Sequence, residues 1–452
     1  MIRKAVCIMA AAFCLLVKTV QAQDTTTHVI TDSTAFAGLK WTLQQCIDYA
    51  KQHNIQINNL RLSTQSAEQD LMQSRAARQP DLNASLSHSL TRGKVLDTTG
   101  VSYRAHTGVV GNYSVNSGVT LYNGNYINND IKQKGLLVEN ANLNIQQTEN
   151  DITLQITQAF LNILLAKENI VYLQDLVNTS TAQVQQQQQL FSAGSIARKD
   201  LVSLQAQAAT DQYNLVLAQN TLRQNTLTLK QLLQLPVDTL FEANVPDSLT
   251  AQKMYPALDQ AVNTALQNRP EIKNGKLLVN IAELDLEKAR AGLLPTLSAN
   301  GVLSTGYTNS SGPYFRQIDN NFFQQVGLTL AVPIFNKRVT KTAIEKSKIS
   351  IAQNEYNLEN TKTVLSQAVE QAYINVQNAE SQYDASVVTL QSAQESYRIT
   401  NEEQKLGAVN AVELLVQKNL YIQALQSYIQ AKYNTVLYIK IYEFYMGIPV
   451  TL

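Results

Sequence analysis

Apolar residues recur every seven positions through a long polar segment between Asn125 and Phe191 that contains no proline. As one helix, the segment would reach about 100 Å. A strict seven-residue period predicts helices wound around neighbours with a left-handed supercoil. The first seam comprises Ile131, Val138, Ile145, Ile152, Ala159, Ala166 and Leu173, and the second comprises Ile156, Ile163, Ile170, Val177, Val184 and Phe191.

Two short glycine-containing segments interrupt these periodic stretches. Ala193-Gly194-Ser195 precedes a returning seam that ends before Pro236, and Leu406-Gly407-Ala408 occupies the same place in a second periodic region. Glycine after a helix favours the left-handed conformation that ends it. We therefore predict two hairpins of long helices, with helices at about 125–192 and 197–234, and again at about 337–405 and 410–446.

Ahead of each long helical hairpin the pattern changes to period two. Leu82, Ala84 and Leu86 alternate with asparagine and serine, and Leu297 and Ala299 do the same later in the chain. This alternation predicts β-hairpins at about 81–122 and 296–335, each with one apolar face. A soluble, half-buried sheet would give the same alternation. Strands of about ten residues instead suit a tilted crossing of the bilayer.

The two regions are copies of one block. Arg75-Ala76 and Pro80 recur as Arg290-Ala291 and Pro295, an offset of 215 (295 − 80). Gly194 recurs as Gly407, an offset of 213 (407 − 194). A repeat of this length is a whole supersecondary block used twice. We predict a first repeat over 41–240, a linker over 241–256 and a second repeat over 257–452.

The first residues have the features of a secretory signal. Arg3 and Lys4 precede an apolar run, and Val20-Gln21-Ala22 suits cleavage, which predicts a signal peptide over 1–22 and an N-terminal arm over 23–40. The formal charge is +1, and removing the leader changes it to about −2. This balance argues against a nucleic-acid partner. Only Cys46 remains after cleavage, which excludes an intrachain disulfide.

Residue patterns that would support catalysis are absent from the sequence. No glycine-rich phosphate loop opens a helix, no nucleophile has a nearby base, and the four histidines do not cluster. We therefore expect a protein that is not an enzyme, with no cofactor and no metal site.

Four membrane strands cannot close a barrel, and an open edge in lipid leaves backbone groups unpaired. Chains must therefore combine. Two copies would give eight strands, whose interior fills with side chains, and three would give twelve strands with room for water. The predicted fold is mainly α with a small β part. It is a hollow tube, with a strand barrel in the membrane that is continued by a helical barrel roughly 100 Å long.

The chain resembles the TolC-like outer-membrane efflux proteins over nearly its whole mature length. The resemblance rests on the doubled block ending in Arg-Ala-x-x-x-x-Pro, on Val332-Pro333-Ile334-Phe335-Asn336, and on Leu406-Gly407 followed by Val412-Glu413-Leu414-Leu415. It implies a homotrimer with a 12-strand transmembrane β-barrel, continued by a periplasmic α-helical barrel. Such a trimer would be an outer-membrane duct of a Gram-negative bacterium that extends into the periplasm. It also implies a periplasmic adaptor protein and an inner-membrane pump of the RND or ABC type as partners.

The resemblance further implies roles at the ends of the helical hairpins. Gly194, Ser195, Gly407 and Ala408 would form tips that dock the adaptor. Glu413, with Asp200, would ring the periplasmic entrance, although acids in a first helical turn also simply favour the helix dipole. The tyrosine and arginine that latch the entrance in the best-known family member fall on Gln404 and Val409, and its second aspartate falls on Val416, so the latch is not retained.

Aromatic residues near the strand ends are candidates for a membrane-interface belt. Tyr122 and Phe335 recur in both repeats and are the stronger candidates for the periplasmic side, with core packing as the competing interpretation. The functional prediction is a passive exit duct of a tripartite export system. A duct for type I-like protein secretion and a structural coiled-coil surface protein or adhesin are the alternatives, and an exported enzyme is a more distant one.

Overall fold

The computed structural model describes residues 40–96, 103–246, 255–309 and 312–451. The expected signal peptide, and the expected arm apart from Lys40, lie outside the described residues, as does most of the second half of the expected linker. The chain divides into a small unit, Met1–Leu39 with Asp238–Leu240, and a large unit, Lys40–Val237 with Phe241–Leu452. All the helices and strands below belong to the large unit.

The first repeat runs from a short strand through a pair of helices to a strand hairpin and then a hairpin of long helices. Asn54 separates the helices of the first pair, and its side chain accepts hydrogen bonds from the backbone N–H groups of Gln56 and Ile57. The elements are β1 (Lys40–Trp41), α1 (Leu43–His53), α2 (Ile55–Ala76), β2 (Asn83–Leu96), β3 (Tyr103–Asn123), α3 (Tyr126–Ser192) and α4 (Arg198–Leu233).

The second repeat follows the same order. Pro270 stands at the start of its second helix, where its missing N–H costs nothing. The elements are β4 (Glu242–Ala243), α5 (Leu258–Asn268), α6 (Pro270–Ala291), β5 (Thr296–Thr308), α7 (Tyr314–Asn320), β6 (Phe323–Ala331), α8 (Val339–Lys405) and α9 (Ala411–Tyr445).

Matching helices in the two repeats have nearly the same length. Helices α3 and α8 have 67 residues each, α4 and α9 have 36 and 35, and α2 and α6 have 22 each. The mainly helical fold with two internal repeats, each a strand hairpin and a long helical hairpin, agrees with the sequence prediction.

The strands form one antiparallel sheet in the order β2-β3-β5-β6, and β1 pairs in parallel with β4. The sheet therefore mixes the two repeats, since β3 and β5 pair from Val110↔Thr308 to Asn123↔Thr296. Strands β2 and β6 lie at its edges, and each is hydrogen-bonded to a described strand on one side only.

The strands differ in detail from the sequence expectation of about ten residues. Strand β2 has 14 residues and β3 has 21, because their pairing continues to Leu96↔Tyr103, beyond the apolar positions. Strand β6 ends at Ala331 rather than near 335, because Pro333 has no N–H for the ladder. The stretch before β6 contains the short helix α7.

The largest core lies where the helices of the first repeat meet α9. Trp41, Phe160 and Leu229 are buried there with Ile429 and Val436. A second core forms around Ile272, Val369 and Tyr442. Cys46 belongs to the first core, and burial raises the pKa of its thiol to about 12, so it is a packing residue.

None of the helices in the described part of the chain is long and apolar enough to span a bilayer.

Candidate functional site

The tips of the two long helical hairpins have the same turn geometry. Gly194 and Gly407 have φ values of +74° and +75°. Ser195 N–H donates to Leu190 O at 2.9 Å, and Ala408 N–H donates to Glu403 O at the same distance. These bonds are those of a Schellman motif, which requires the left-handed conformation that glycine adopts without strain. Because a Cβ at either glycine would meet nothing within 4 Å, backbone conformation alone requires glycine.

The two predicted entrance acids follow these turns but differ in setting. Glu413 is exposed in the first turn of α9, where Asn410 caps the helix by accepting a bond from Glu413 N–H at 2.9 Å. Asp200 is half-buried in the first turn of α4, whose N-cap residue, Ala197, makes no side-chain capping hydrogen bond. Asp200 thus lies where a carboxylate complements an uncapped helix dipole.

A buried polar cluster lies in the helical region, among side chains that the sequence analysis did not single out. Lys418 and Asp211 are each only 1% exposed at their side chains, and Nζ lies 3.1 Å from Oδ2. Lys418 also donates to Ser180 Oγ at 2.9 Å, and Gln207 donates to the other Asp211 oxygen at 2.8 Å. Ser180 Oγ is in turn hydrogen-bonded to Asp211. The cluster joins α3, α4 and α9.

A signal for this cluster is present in the seven-residue period. Ser180 is the next member of the seam that reaches Leu173, and Asp211 follows Leu204 by seven residues on the buried face of α4. A seam that continues through polar residues predicts a polar contact inside the helical packing. The apolar seams alone therefore miss these residues.

Two further ion pairs link the repeats. Lys432 Nζ lies 3.0 Å from Glu168 Oε1. Lys288 Nζ lies 2.8 Å from Asp130 Oδ1 and also donates to Gln133. Together with Asp211 and Lys418, these are the ion pairs between helices of the two repeats in the described part of the chain. In these three helix–helix pairs the acid belongs to the first repeat and the lysine to the second. Glu242 on strand β4 instead pairs with Lys40 and Lys167 of the first repeat.

The Asp130–Lys288 pair is partly buried, and each partner changes the other's pKa. Burial alone would raise the pKa of Asp130, but hydrogen bonds from Lys288 and from Ser74 hold it below its ordinary value. Burial would likewise lower the pKa of Lys288, yet the hydrogen bond to Asp130 holds that pKa above its ordinary value. Both shifts favour the charged forms.

The four-stranded sheet presents one exposed apolar face. Leu86 and Leu90 on β2 are 74% and 72% exposed, and Val326 and Leu328 on β6 are 89% and 71% exposed. The register places Leu86 opposite Tyr113 and Val326 opposite Gly301, which assigns all four strands one common apolar face. Serine, asparagine and threonine occupy most of the other face.

A bulge places Tyr122 on the apolar face. Thr120 pairs with Ser298, whereas Tyr122 pairs with Leu297, so one extra residue shifts the alternation of β3. Phe335 is 83% exposed but lies beyond the end of β6. The two aromatic residues that match in sequence therefore differ in backbone setting.

Strand-to-helix turns follow these aromatic residues. Gly124 and Asn125 have φ values of +64° and +67°, and Lys337 and Arg338 have +51° and +67°. Each repeat thus uses two successive left-handed residues to turn a strand into a long helix. Glycine and asparagine tolerate that conformation, whereas lysine and arginine are strained in it.

The distal end of β5 continues past β6, and α7 covers its exposed backbone. The Gln317 side-chain amide donates to Thr308 O and accepts from Thr308 N–H, both at 2.8 Å. Asn321 donates to Gly306 O at 2.7 Å. Side-chain amides therefore replace the missing strand neighbour at this edge.

A sequence profile of the outer membrane efflux protein family matches residues 46–234 and 261–437. The chain belongs to this family. The two matched segments correspond to the two repeats. The family consists of efflux proteins of the outer membrane. Membership in it favours a transport function over a catalytic one. The protein is accordingly an outer-membrane protein of a Gram-negative bacterium.

Individual relatives of this efflux protein are distant in sequence but extensive in coverage. The outer membrane efflux protein BepC of Brucella suis is 22% identical over 407 residues, covering 89% of this chain and 84% of BepC. The outer membrane protein TolC of Escherichia coli is 24% identical over 296 residues, covering 64% of this chain and 60% of TolC. The crystal structure of CusC superposes with a TM-score of 0.79 at 17% identity, covering 92% of this chain and 96% of CusC.

Proposed function

We propose that the protein is the passive exit duct of a tripartite export system and works as a homotrimer. The observation that carries this proposal is the four-stranded sheet with an exposed apolar face and two edges, β2 and β6, that lack a second described neighbour. Unpaired backbone groups in lipid cost several kcal/mol each. Pairing β2 of one copy with β6 of the next would satisfy both edges, and three copies would close a barrel of about twelve strands with room for water.

The position of the apolar residues along the strands supports a tilted barrel. The register row through Leu86 continues through Tyr113 to Thr305, and Thr305 lies beyond the end of β6, since Phe323 pairs with Ser304. The exposed apolar residues of β6 therefore lie nearer the helices than those of β2. An apolar band that crosses strands obliquely is what a barrel with strand tilt of about 40° requires.

The helical hairpins would extend this duct into the periplasm, each long helix reaching about 100 Å. In this proposal a periplasmic adaptor docks at tips that include Gly194, Ser195, Gly407 and Ala408, and an inner-membrane pump of the RND or ABC type supplies the energy. The exposure of all four residues supports a docking role.

Glu413 is the better candidate for a charged ring at the periplasmic entrance. It is exposed, and its helix is already capped by Asn410, so the carboxylate is not needed as a cap. Asp200 is half-buried at an uncapped helix start, which gives it a structural reason to be acidic. Tyr122 and Phe335 would lie at the periplasmic interface of the bilayer, where aromatic rings are favoured.

Reconstitution into planar bilayers tests the duct directly. We expect discrete conductance steps from purified protein whose mass in detergent corresponds to three chains. Folded trimers that never conduct would contradict the duct, and a stable monomer would contradict closure by three copies.

Glu413→Gln tests the entrance ring, with Asp200→Asn as its matched control. We expect the first substitution to reduce cation preference and block by multivalent cations, because three equivalent carboxylates would leave the entrance. The second should change both properties much less. No effect of the first substitution would remove Glu413 from the entrance, and equal effects of the two would overturn the preference for Glu413 over Asp200.

A further inference from the structure

The charged side chains of β2 lie on its apolar face. Leu86, Leu90, Arg92 and Lys94 are separated by even numbers of residues, so strand alternation places all four on one side, and all four are exposed. The opposite face of β2 carries asparagine, serine, threonine and glycine up to Gly93, without charge. Charges meant to tune a water-filled interior would lie on that opposite face.

Arg92 and Lys94 are also available for a ligand. Neither makes an ion pair with another residue in the described ranges, whereas many exposed lysines and arginines of the helices pair with a glutamate three residues away, as Arg398 does with Glu395. Their register partners, Thr107 and Ala105, are uncharged. Two adjacent cations on one strand face thus lie without a protein counter-charge in the described part of the molecule.

The position along the strand gives the depth of these cations, if the proposed membrane barrel is accepted. Arg92 is ten residues beyond Leu82, where the apolar alternation begins. Ten residues span about 33 Å along a strand, or about 25 Å along the membrane normal at a tilt of about 40°. This height matches an apolar band of about 25 Å in barrels of this kind. Arg92 therefore falls at the boundary of the band, and Lys94 falls in the headgroup layer.

This boundary is the outer one, because the strands reach it at the end remote from the long helices. Strand β3 is followed by α3, which begins at Tyr126, and β2 follows α2 at the same end of the sheet, whereas Arg92 and Lys94 lie near the opposite end, where Leu96 pairs with Tyr103. With the helices in the periplasm, the two cations face the outer leaflet. Lipids of the outer leaflet in Gram-negative bacteria carry phosphate groups on a glycolipid headgroup.

We propose that Arg92 and Lys94 form a binding site for the phosphate groups of this outer-leaflet glycolipid. The guanidinium of Arg92 offers a planar pair of donors suited to phosphate, and the ammonium of Lys94 adds a second charge. Both side chains have aliphatic stems that lie along an apolar face while the charged group reaches the headgroup layer. The inference rests on the proposed membrane barrel and adds a lipid specificity to it.

An aromatic and histidine cluster lies on the same face of β2, β3 and β5. His88 has Tyr113 Oη 2.8 Å from Nε2 and Tyr307 Oη 3.3 Å from Nδ1. Tyr314 of α7 packs edge-on against Tyr307 with ring centroids 4.7 Å apart. Gly111 leaves the space for this arrangement, since a Cβ there would overlap the Tyr307 ring.

The test compares lipid binding by the trimer and by Arg92→Gln/Lys94→Gln. Delipidated protein in detergent is titrated with bisphosphorylated lipid A, with its dephosphorylated form and with phosphatidylglycerol, and bound lipid is counted by native mass spectrometry. Removing two interfacial cations is expected to weaken lipid A binding about 30-fold. The wild-type protein should prefer lipid A to both other lipids, and inorganic phosphate should compete only weakly.

The matched control is Arg223→Gln/Lys273→Gln, which removes one arginine and one lysine from exposed helical positions far from the sheet. This control should bind lipid A as the wild type does. Equal lipid A binding by the β2 variant and the wild type would overturn the site, as would equal wild-type affinity for the dephosphorylated lipid. Stronger wild-type binding of phosphatidylglycerol would overturn the assignment to the glycolipid.

Conductance measurements distinguish a failure of the proposed lipid site from a failure of the proposed duct. The β2 variant should still form trimers that conduct, because its cations lie outside the water-filled interior. A wild-type protein that neither inserts nor conducts would refute the membrane barrel itself, whereas a conducting protein with unaltered lipid binding would refute only the lipid site.

Discussion

The two repeats have matching helices but carry opposite charges where their helices form ion pairs with each other. Their long helices α3 and α8 have the same length, and their tips have the same hydrogen bonds. Yet each of the three described ion pairs between helices of the two repeats takes its acid from the first repeat and its lysine from the second. The two copies of the block therefore share the seven-residue period and the turn geometry. They differ in the charges of the side chains through which their helices pair.

This division of acids and lysines favours packing of a first repeat against a second repeat over packing of two first repeats against each other. The equivalents of Ser180 and Asp211 are Ala393 and Ala424, and the equivalent of Lys418 is Gln205, so the buried cluster is not duplicated. If two first repeats packed together, their acids would be buried without a lysine to pair with. An unpaired buried charge costs several kcal/mol of stability. Packing of a first against a second repeat neutralises them.

The largest effect should come from breaking the buried cluster on one side. Lys418→Ala leaves Asp211 buried without its counter-charge, and we expect a loss of about 3–5 kcal/mol in the free energy of unfolding. Denaturant unfolding followed by helical circular dichroism measures it. Gln205→Ala, at the exposed equivalent position, should cost less than about 0.5 kcal/mol.

The double variant Lys418→Met/Asp211→Leu sharpens this comparison. Replacing both charges with apolar side chains should recover most of the stability, because the desolvation cost of the pair disappears with the pair. A double variant as unstable as Lys418→Ala would show that the geometry of the cluster, rather than its charge balance, holds the helices together.

The Asp130–Lys288 pair predicts that the free energy of unfolding depends on pH. The equivalent residues in the other repeat, Ala343 and Gln73, do not titrate and cannot contribute to this dependence. Asp130 has a lowered pKa, so its contribution is present above the unfolded pKa of about 3.9 and is lost as pH falls through the folded value. Lys288 has a raised pKa, so its contribution is present below about 10.4 and is lost as pH rises through the folded value.

We therefore expect Lys288→Met to cost about 1.5–3 kcal/mol at neutral pH and to flatten the fall in stability at both pH extremes. Unfolding curves across the pH range measure this. A variant with the wild-type pH profile would show that other groups set the acid and alkaline limits.

The strand-to-helix turns offer a smaller effect of opposite sign. Lys337→Gly/Arg338→Asn copies Gly124 and Asn125 into the second repeat, and removing two strained left-handed residues should stabilise the protein by about 1–2 kcal/mol. The reciprocal change Gly124→Ala should destabilise it, because its Cβ would lie 3.0 Å from Ala291 O. Thermal melting compares the variants, and a destabilised double variant would show that Lys337 and Arg338 make compensating contacts.

The helix starts after the two tips should give the smallest effect. Asn410→Ala removes the cap of α9 and should cost about 1 kcal/mol, whereas Ala197→Asn adds a cap to α4 and should gain about as much. Hydrogen exchange of the first-turn amides measures both locally. Unchanged protection in both variants would show that the tips fray regardless of capping.

The sequence alone determined the parts of this protein that depend on local pattern. Seven-residue seams predicted the long helices, glycines predicted their turns, and period-two alternation predicted the apolar face that Leu86 and Val326 share. Each follows from a repeating backbone geometry that brings residues at fixed spacing to one side. The same reasoning placed Glu413 and Asp200 in first helical turns, although whether they line an entrance stays a prediction.

Only the tertiary structure decided which distant residues meet. Pairing of Lys418 with Asp211 depends on how α9 packs against α3 and α4, and the sheet order β2-β3-β5-β6 depends on the two repeats combining. The bulge that turns Tyr122 to the apolar face and the helix α7 that covers the end of β5 depend on register with a neighbouring strand. Such contacts join segments far apart in sequence, so no local period encodes them.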